Sequence, residues 1–179
     1  MSTSDSQVLK DITTSTPGVI YQFLVDPDGN WSFIYVSKGI EDLFEVTPED
    51  ACREADIMTN CIIEEDRPSH RQSVEYAVKN VTPWHHEHRI LTRSGVTKWI
   101  LATALPRPLE DGGVLWNGIL TDVTAAKEMK LAIADFNNIN LQQMQNIALM
   151  EAKLREHQMI ISRNRSVILH YSGPVGSKY

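Results

Sequence analysis

Residues 84–123 read WHHEHRILTRSGVTKWILATALPRPLEDGGVLWNGILTDV and contain three segments that are typical of β-strands. The segments are rich in β-branched and aromatic residues; they run from Trp84 to Leu91, from Lys98 to Leu105 and from Val114 to Val123. Thr92-Arg-Ser-Gly95 has the composition of a hairpin turn, because glycine accepts a backbone with positive φ. A longer loop, Pro106 to Gly113, joins the last two segments. We therefore predict three consecutive antiparallel strands.

The preceding half of the sequence adds a hairpin and a set of helices. Two strand-like segments, Val19 to Val25 and Trp31 to Val36, flank the turn sequence Asp26-Pro-Asp-Gly-Asn30. Thr47 precedes a proline and acidic residues, which is typical of a capped helix start. The central helix begins near Asp66-Arg-Pro68, and its apolar residues have the spacing of a face that packs on a sheet. The order predicts an α+β fold, a five-stranded antiparallel sheet with helices on one face.

Composition and charge restrict the classes of function. The chain has 179 residues and a formal net charge of −6, which argues against nucleic acid as a partner because phosphate binding needs a basic face. The sequence also lacks an apolar stretch long enough to span a bilayer, so we expect no membrane contact by this chain. Its two cysteines form neither a disulfide framework nor a metal-ligand set, which favours a cytoplasmic protein. Phosphate-loop and nucleophile-elbow motifs are absent, so we predict that the chain is not an enzyme.

A long helix is predicted after the last strand, because residues 125–161 contain neither proline nor glycine. A heptad pattern predicts a parallel two-stranded coiled coil and therefore a homodimer. Its a positions are Ile133, Asn140, Ile147, Leu154 and Ile161, and its d positions are Phe136, Gln143, Met150 and His157. The alternative is a helix that packs back on its own domain. The pattern ends at Ser162, and Val167 to Tyr171 is a candidate short strand in a tail of unknown structure.

Several motifs, in order, make the chain resemble the PAS family of bacterial signalling proteins. They are Tyr35-Val-Ser37 with Ile40-Glu-Asp-Leu-Phe44, Thr47-Pro-Glu-Asp50, Glu65-Asp-Arg-Pro68, Glu87-His-Arg-Ile90, Arg93-Ser-Gly95 with Lys98-Trp-Ile100, and Gly118-Ile-Leu-Thr-Asp-Val-Thr124. Glu45-Val46 departs from the family's usual glycine-aromatic pair. The resemblance divides the chain into a flexible segment and short helix (1–16), a PAS domain (17–124), a signalling helix (125–161) and a tail (162–179).

The resemblance implies a sensory module that relays a signal to an output domain of a longer protein. A histidine kinase of a two-component system, or a nucleotide cyclase, is such an output domain. The relay is expected at Asp122 and Thr124, where the last strand meets the long helix. The Thr124 hydroxyl can cap that helix and the Asp122 carboxylate can lie near the positive end of its dipole.

The resemblance also implies a ligand pocket between the central helix and the sheet. Its candidate residues are His70, Val74, Val78, His88 and Trp99. His70 shares the inward face of the central helix and is a possible axial ligand of haem. A flavin–cysteine photoadduct is disfavoured, because Asp56 occupies the position where the reactive cysteine is expected. His86 and His88 project to one side of a strand, but two imidazoles fall short of a metal site, so none is predicted.

Three hypotheses therefore remain open from the sequence. The chain is a sensor for a small ligand or partner, a ligand-free dimerisation module with a filled core, or a haem-based sensor of gas or redox state.

Overall fold

The computed structural model describes the backbone of residues 3–171 and the side chains of residues 7–8 and 11–165. The chain divides into two compact units, Met1–Glu128 and Met129–Tyr179. The first unit opens with helix α1, Thr3–Ser15. We predicted a flexible segment before a short helix in this region, but the helix already begins at Thr3.

The first unit contains a five-stranded antiparallel sheet, as predicted. Its strands are β1 (Val19–Val25), β2 (Trp31–Val36), β3 (Trp84–Leu91), β4 (Thr97–Pro108) and β5 (Val114–Asp122). Their order across the sheet is β2-β1-β5-β4-β3, so both hairpins flank a central β5. The strand β4 continues three residues past the predicted Leu105, because Pro106 to Pro108 remain in register with β5.

Four α-helices and one 3₁₀ turn lie between the first hairpin and β3. They are α2 (Ile40–Phe44), α3 (Pro48–Arg53), α4 (Asp56–Asn60), the 3₁₀ turn Glu64–Asp66 and α5 (Arg67–Asn80). Thr47 caps α3 as predicted, since its hydroxyl accepts a hydrogen bond from the Asp50 amide at 3.1 Å.

The core lies on one face of the sheet, because alternate side chains of each strand point to opposite faces. On β4 the inward residues Ile100, Ala102 and Ala104 are at most 4% exposed. They pack in one apolar cluster with residues of the helices, among them Ile40 and Phe44.

The last helix, α6, extends from Thr124 to Tyr171, ten residues beyond the predicted end at Ile161. The structure therefore contradicts the candidate strand at Val167 to Tyr171. The physical reason is continuity: a helix adds one hydrogen bond for each residue fixed, and no proline or glycine interrupts this segment. The rest of the predicted tail, 172–179, lies outside the described residues. None of the described helices is sufficiently long and apolar to cross a membrane.

Candidate ligand cavity and helix junction

A cavity of about 890 Å³ lies between the inward face of the sheet and helices α4 and α5, partly open to solvent. A volume of this size is within the range that holds a small-molecule ligand. Most of its wall is apolar and aromatic. The aromatic wall residues are Tyr21, Phe23, Trp31, Phe33, Phe44, Trp84 and Trp116.

The floor of the cavity depends on a glycine in the central strand. Tyr21 of β1 pairs with Gly118 of β5, and a β-carbon built at Gly118 would overlap the Tyr21 ring. The ring then lies edge-on against Phe33, with 5.8 Å between ring centres. Burial raises the pKa of the Tyr21 hydroxyl, so the group remains a neutral hydrogen-bonding group at the cavity.

The indole N–H of Trp116 is a second polar group in this wall. Trp116 is 3% exposed, and its Nε1 atom has no hydrogen-bond partner among the described residues. A buried donor without a partner costs free energy, so this position of the Trp116 indole lowers the stability of the fold.

Three histidine rings converge at the β3 side of the cavity. His88, which is 3% exposed, and half-buried His86 lie on the inward face of β3, and His70 approaches from the first turns of α5. The His70 ring centre is 4.8 Å from that of His88 and 5.6 Å from that of His86. Burial lowers the pKa of His70 to about 4 and that of His88 to about 3, and it lowers the pKa of His86 as well. All three imidazoles are therefore neutral at pH 7.

A hydrogen-bonded chain holds α5 against β3 beside these histidines. The Trp84 indole Nε1 donates to the Ser73 hydroxyl at 3.0 Å, and that hydroxyl donates to the His70 carbonyl at 2.7 Å. The Trp84 ring stacks on His86 with 5° between their planes. The rings are thus positioned from both the helix and the strand.

Asp66 fixes the start of α5 to the same strand. Its carboxylate accepts hydrogen bonds from the Arg89 backbone N–H, Nε and Nη2 at 2.8, 3.0 and 2.6 Å. These bonds, chiefly those from the guanidinium, hold the pKa of the Asp66 carboxyl below its usual range. This charged pair therefore clamps the 3₁₀ turn Glu64–Asp66, which leads into α5, to β3.

The junction between β5 and α6 is attached to β4 through Trp99. The Trp99 amide donates to the Thr124 hydroxyl at 2.9 Å, and the Trp99 carbonyl accepts from the Val123 amide at 2.9 Å. Asp122 accepts from the amide of Thr124 itself at 2.9 Å. Asp122 thus lies at the N-terminal end of the helix, where its charge was expected, whereas the Thr124 hydroxyl accepts from a strand amide and connects the helix to the sheet. The Lys127 ammonium lies 5.0 Å from the centre of the Trp99 ring and pairs with Glu87.

A protein-family model described as "PAS fold" matches residues 33–120. This matched segment contains the cavity's central helix, all of β3 and β4, and most of β2 and β5. The chain therefore contains a PAS domain. No curated protein matches it in sequence.

Several solved structures share the fold. The PAS domain of a Colwellia psychrerythraea protein is 24% identical, covers 68% of this chain and 98% of its own, and superposes with a TM-score of 0.52. A sensory box histidine kinase/response regulator structure from Burkholderia thailandensis is 18% identical, with coverage of 74% and 95% and a TM-score of 0.53. The N-terminal domain of a Marinobacter aquaeolei diguanylate cyclase with PAS/PAC sensor is 16% identical, with coverage of 60% and 98% and a TM-score of 0.52. At these identities the likeness is one of fold.

The PAS cavity brings together four of the five residues selected from the sequence. His70, Val74, Val78 and His88 line it, whereas Trp99 does not. Trp99 points to the opposite face because strand residues alternate and its neighbour Ile100 faces the core.

Other predicted positions and several unforeseen ones can be placed in the same PAS domain. Asp56, the position where a flavin-reactive cysteine was expected, lines the cavity, while Cys52 and Cys61 are not among its wall residues. Sequence reasoning missed Tyr21, Trp116 and the participation of Trp84. The period-two alternation of β1, β3 and β5 is the signal that could have identified them.

Proposed function

We propose that this PAS domain is a sensory module: a small molecule binds in the cavity, and the junction between β5 and α6 transmits the change to a dimerising helix. The observation that carries the proposal is that the paired strands β3 and β4 connect the two sites. Strand β3 contributes to the cavity wall, and β4 holds the junction through Trp99. His88 on β3 lines the cavity, and the next residue, Arg89, lies 5.4 Å from the centre of the Trp99 ring on the opposite face. A displacement of the cavity wall therefore moves the strand that holds Thr124.

The character of the cavity favours a planar, mostly apolar ligand. Aromatic rings form much of the wall, and the charged wall residues are exposed at its rim. The rim carries both signs of charge, from Glu54, Asp56, Glu75, Arg67 and Arg71. A ligand with an apolar body and a few hydrogen-bonding groups matches this arrangement.

Dimerisation through α6 is the second element of the proposal. The apolar a and d residues are exposed in the single chain: Ile133, Phe136, Ile147, Met150 and Leu154 are 55–71% exposed. Asn140, at an a position, favours two strands in fixed register at some cost in stability. A second copy of the chain in parallel covers this seam.

The output domain belongs to the proposal as well. The Burkholderia and Marinobacter proteins are described as a histidine kinase/response regulator and a diguanylate cyclase. We assign catalysis to an attached domain of such a class, in the cytoplasm, and none to the residues of this chain.

Native mass spectrometry of the freshly purified chain, together with its absorption spectrum, tests the sensory proposal. A dimer carrying an extra organic mass supports it, and a ligand-free dimer to which no small molecule from a metabolite library binds would contradict it. A Soret band would instead favour a haem-based sensor, for which neutral His70 at the cavity wall is the candidate axial ligand.

A further inference from the structure

Trp84 and Trp116 both line the cavity, but their indole N–H groups differ in how they are paired. The Trp84 N–H donates to the Ser73 hydroxyl at 3.0 Å. The Trp116 N–H has no acceptor among the described residues, although the residue is only 3% exposed. A buried indole N–H usually finds a partner, because leaving it unpaired costs free energy. The Trp116 N–H is therefore a donor that a molecule in the cavity can use.

The Trp116 donor lies beside an aromatic part of the cavity wall. Trp116 pairs with Phe23 across β5 and β1, and the ring centres of Phe23 and Phe33 are 5.1 Å apart. The Tyr21 hydroxyl belongs to the same region, because the Tyr21 ring lies over Gly118, two residues after Trp116 and on the same face of β5. An N–H donor and a hydroxyl thus lie next to aromatic rings that can contact a planar molecule.

The charged residues of the wall lie at its rim. None of the buried wall residues that the structure describes is Asp, Glu, Lys or Arg, and the charged wall residues are all exposed. The Arg67 guanidinium is in addition paired with the backbone carbonyls of Ile62 and Asn60, at 2.9 and 3.1 Å. A carboxylate or ammonium group placed beside Trp116 would lose its hydration without gaining a counter-ion, which is costly. This part of the cavity therefore favours an uncharged ligand.

We propose that the ligand of the cavity is a neutral, planar aromatic molecule whose carbonyl oxygen or ring nitrogen accepts a hydrogen bond from the Trp116 indole. This inference rests on the proposed binding of a small molecule in the cavity, and it adds the chemical class of that molecule. Phe23 and Phe33 contact the ring system, and the Tyr21 hydroxyl offers a second hydrogen bond to the same polar edge. If Trp116 only filled space, its N–H would be equally unpaired with and without ligand, so the resonance of this proton discriminates between the two roles.

Three naphthalene probes test the ligand class. 2-Acetylnaphthalene carries a neutral carbonyl oxygen, 2-isopropenylnaphthalene has a CH₂ group in place of that oxygen, and 2-naphthoate carries a negative charge. The ¹H–¹⁵N spectrum of the ¹⁵N-labelled full chain has one indole resonance for each of its four tryptophans. We expect 2-acetylnaphthalene to move the Trp116 indole proton downfield and to leave the Trp99 resonance in place. It should also bind about fivefold or more tightly than the other two probes, which is the effect of one hydrogen bond.

Two variants assign the resonances and test the donor. Trp116→Phe removes the indole N–H, so the preference for 2-acetylnaphthalene over 2-isopropenylnaphthalene should disappear. Trp99→Phe is the matched control, because Trp99 lies outside the cavity wall, and it should keep the preference. Circular dichroism checks that each variant is folded, and the Trp116 resonance of the unaltered chain tests the inference without any variant.

Three results would overturn the inference. They are equal affinities of the ketone and the hydrocarbon for the unaltered chain, tighter binding of 2-naphthoate, and a Trp116 resonance that no probe shifts. An extra organic mass in the native mass spectrum would then still support a sensory cavity, so failure of this ligand class is distinguishable from failure of the proposed function.

Discussion

The clamp between Asp66 and Arg89 makes the most quantitative prediction. Asp66→Asn removes the charge but keeps an amide oxygen for the Arg89 backbone N–H. Exposed ion pairs contribute about 0.2–1 kcal/mol, and breaking a buried pair costs about 3–5 kcal/mol. The two side chains are 16% and 35% exposed, so the pair lies between these cases. We expect the free energy of unfolding to fall by about 2 kcal/mol.

Urea unfolding followed by tryptophan fluorescence measures this loss. All four tryptophans, Trp31, Trp84, Trp99 and Trp116, lie in the unit Met1–Glu128, so their emission reports on the PAS domain and not on the distal helix. With a denaturant slope of about 2 kcal/mol per molar urea, the midpoint should fall by about 1 M.

The matched control is Arg53→Gln, which breaks the pair with Asp50 on α3. The Arg53 side chain is 72% exposed, so solvent screens the interaction and the urea midpoint should stay close to that of the unaltered chain. An Asp66→Asn midpoint equal to that of Arg53→Gln would refute the reasoning.

The pH dependence of the difference in unfolding free energy between the unaltered chain and Asp66→Asn gives an independent check. Hydrogen bonds from Arg89 lower the pKa of Asp66 in the folded protein. Its contribution to stability is therefore complete above the unfolded pKa of about 4 and is lost as the pH falls through the lower folded pKa. The difference between the unaltered chain and Asp66→Asn should be constant from pH 8 to pH 5 and shrink below about pH 4. A difference that already shrinks between pH 7 and pH 5 would implicate another group.

Three further substitutions test the seam, the junction and the cavity floor. Ile147→Asp should lower the dimer fraction in sedimentation equilibrium at least tenfold, while Leu149→Asp, equally exposed but off the seam, should not; equal effects would contradict the coiled coil. Thr124→Val removes the hydroxyl that accepts from the Trp99 amide of β4, a hydrogen bond worth about 1 kcal/mol. Hydrogen exchange at the Trp99 amide should therefore be roughly fivefold faster, and unchanged exchange would count against the connection. Gly118→Ala should displace the Tyr21 ring and cost about 1–3 kcal/mol, visible as a melting temperature lower by roughly 5 °C or more; an unchanged melting temperature would show that the ring adjusts freely.

Local patterns predicted the elements of the fold better than they predicted the site. Alternation and turn chemistry identify the five strands, and Thr47 caps its helix as its sequence context indicates. These features depend on residues close together in the chain. The absence of proline and glycine after residue 124 predicted the start of the long helix, whereas the end of the heptad pattern at Ile161 did not predict its end, because the helix continues to Tyr171.

The site depends on contacts between distant residues, and there the sequence was insufficient. Thr124 and Trp99 are twenty-five residues apart, so nothing local shows that the hydroxyl accepts from a strand amide and not from its own helix. The placement of Trp99 in the cavity was wrong for a related reason. A one-residue difference on a strand reverses the face, and apolar residues occupy both faces of β4. The approach of His70 to β3 is a tertiary contact of the same kind.

Neighbouring strand residues face opposite sides of the sheet, and this alternation also explains how the cavity and the helix can be coupled without direct contact. His88 pairs with Ile100 across β3 and β4 on the inward face, and Arg89 pairs with Trp99 on the outward face. In the relay that we propose, a ligand that shifts the first pair also shifts the second, since they share consecutive backbone units. The junction between β5 and α6 is attached to β4 by two hydrogen bonds, each worth about 1 kcal/mol. A ligand whose affinity for two arrangements of the strands differs by about 1–3 kcal/mol would therefore be able to change which arrangement holds Thr124.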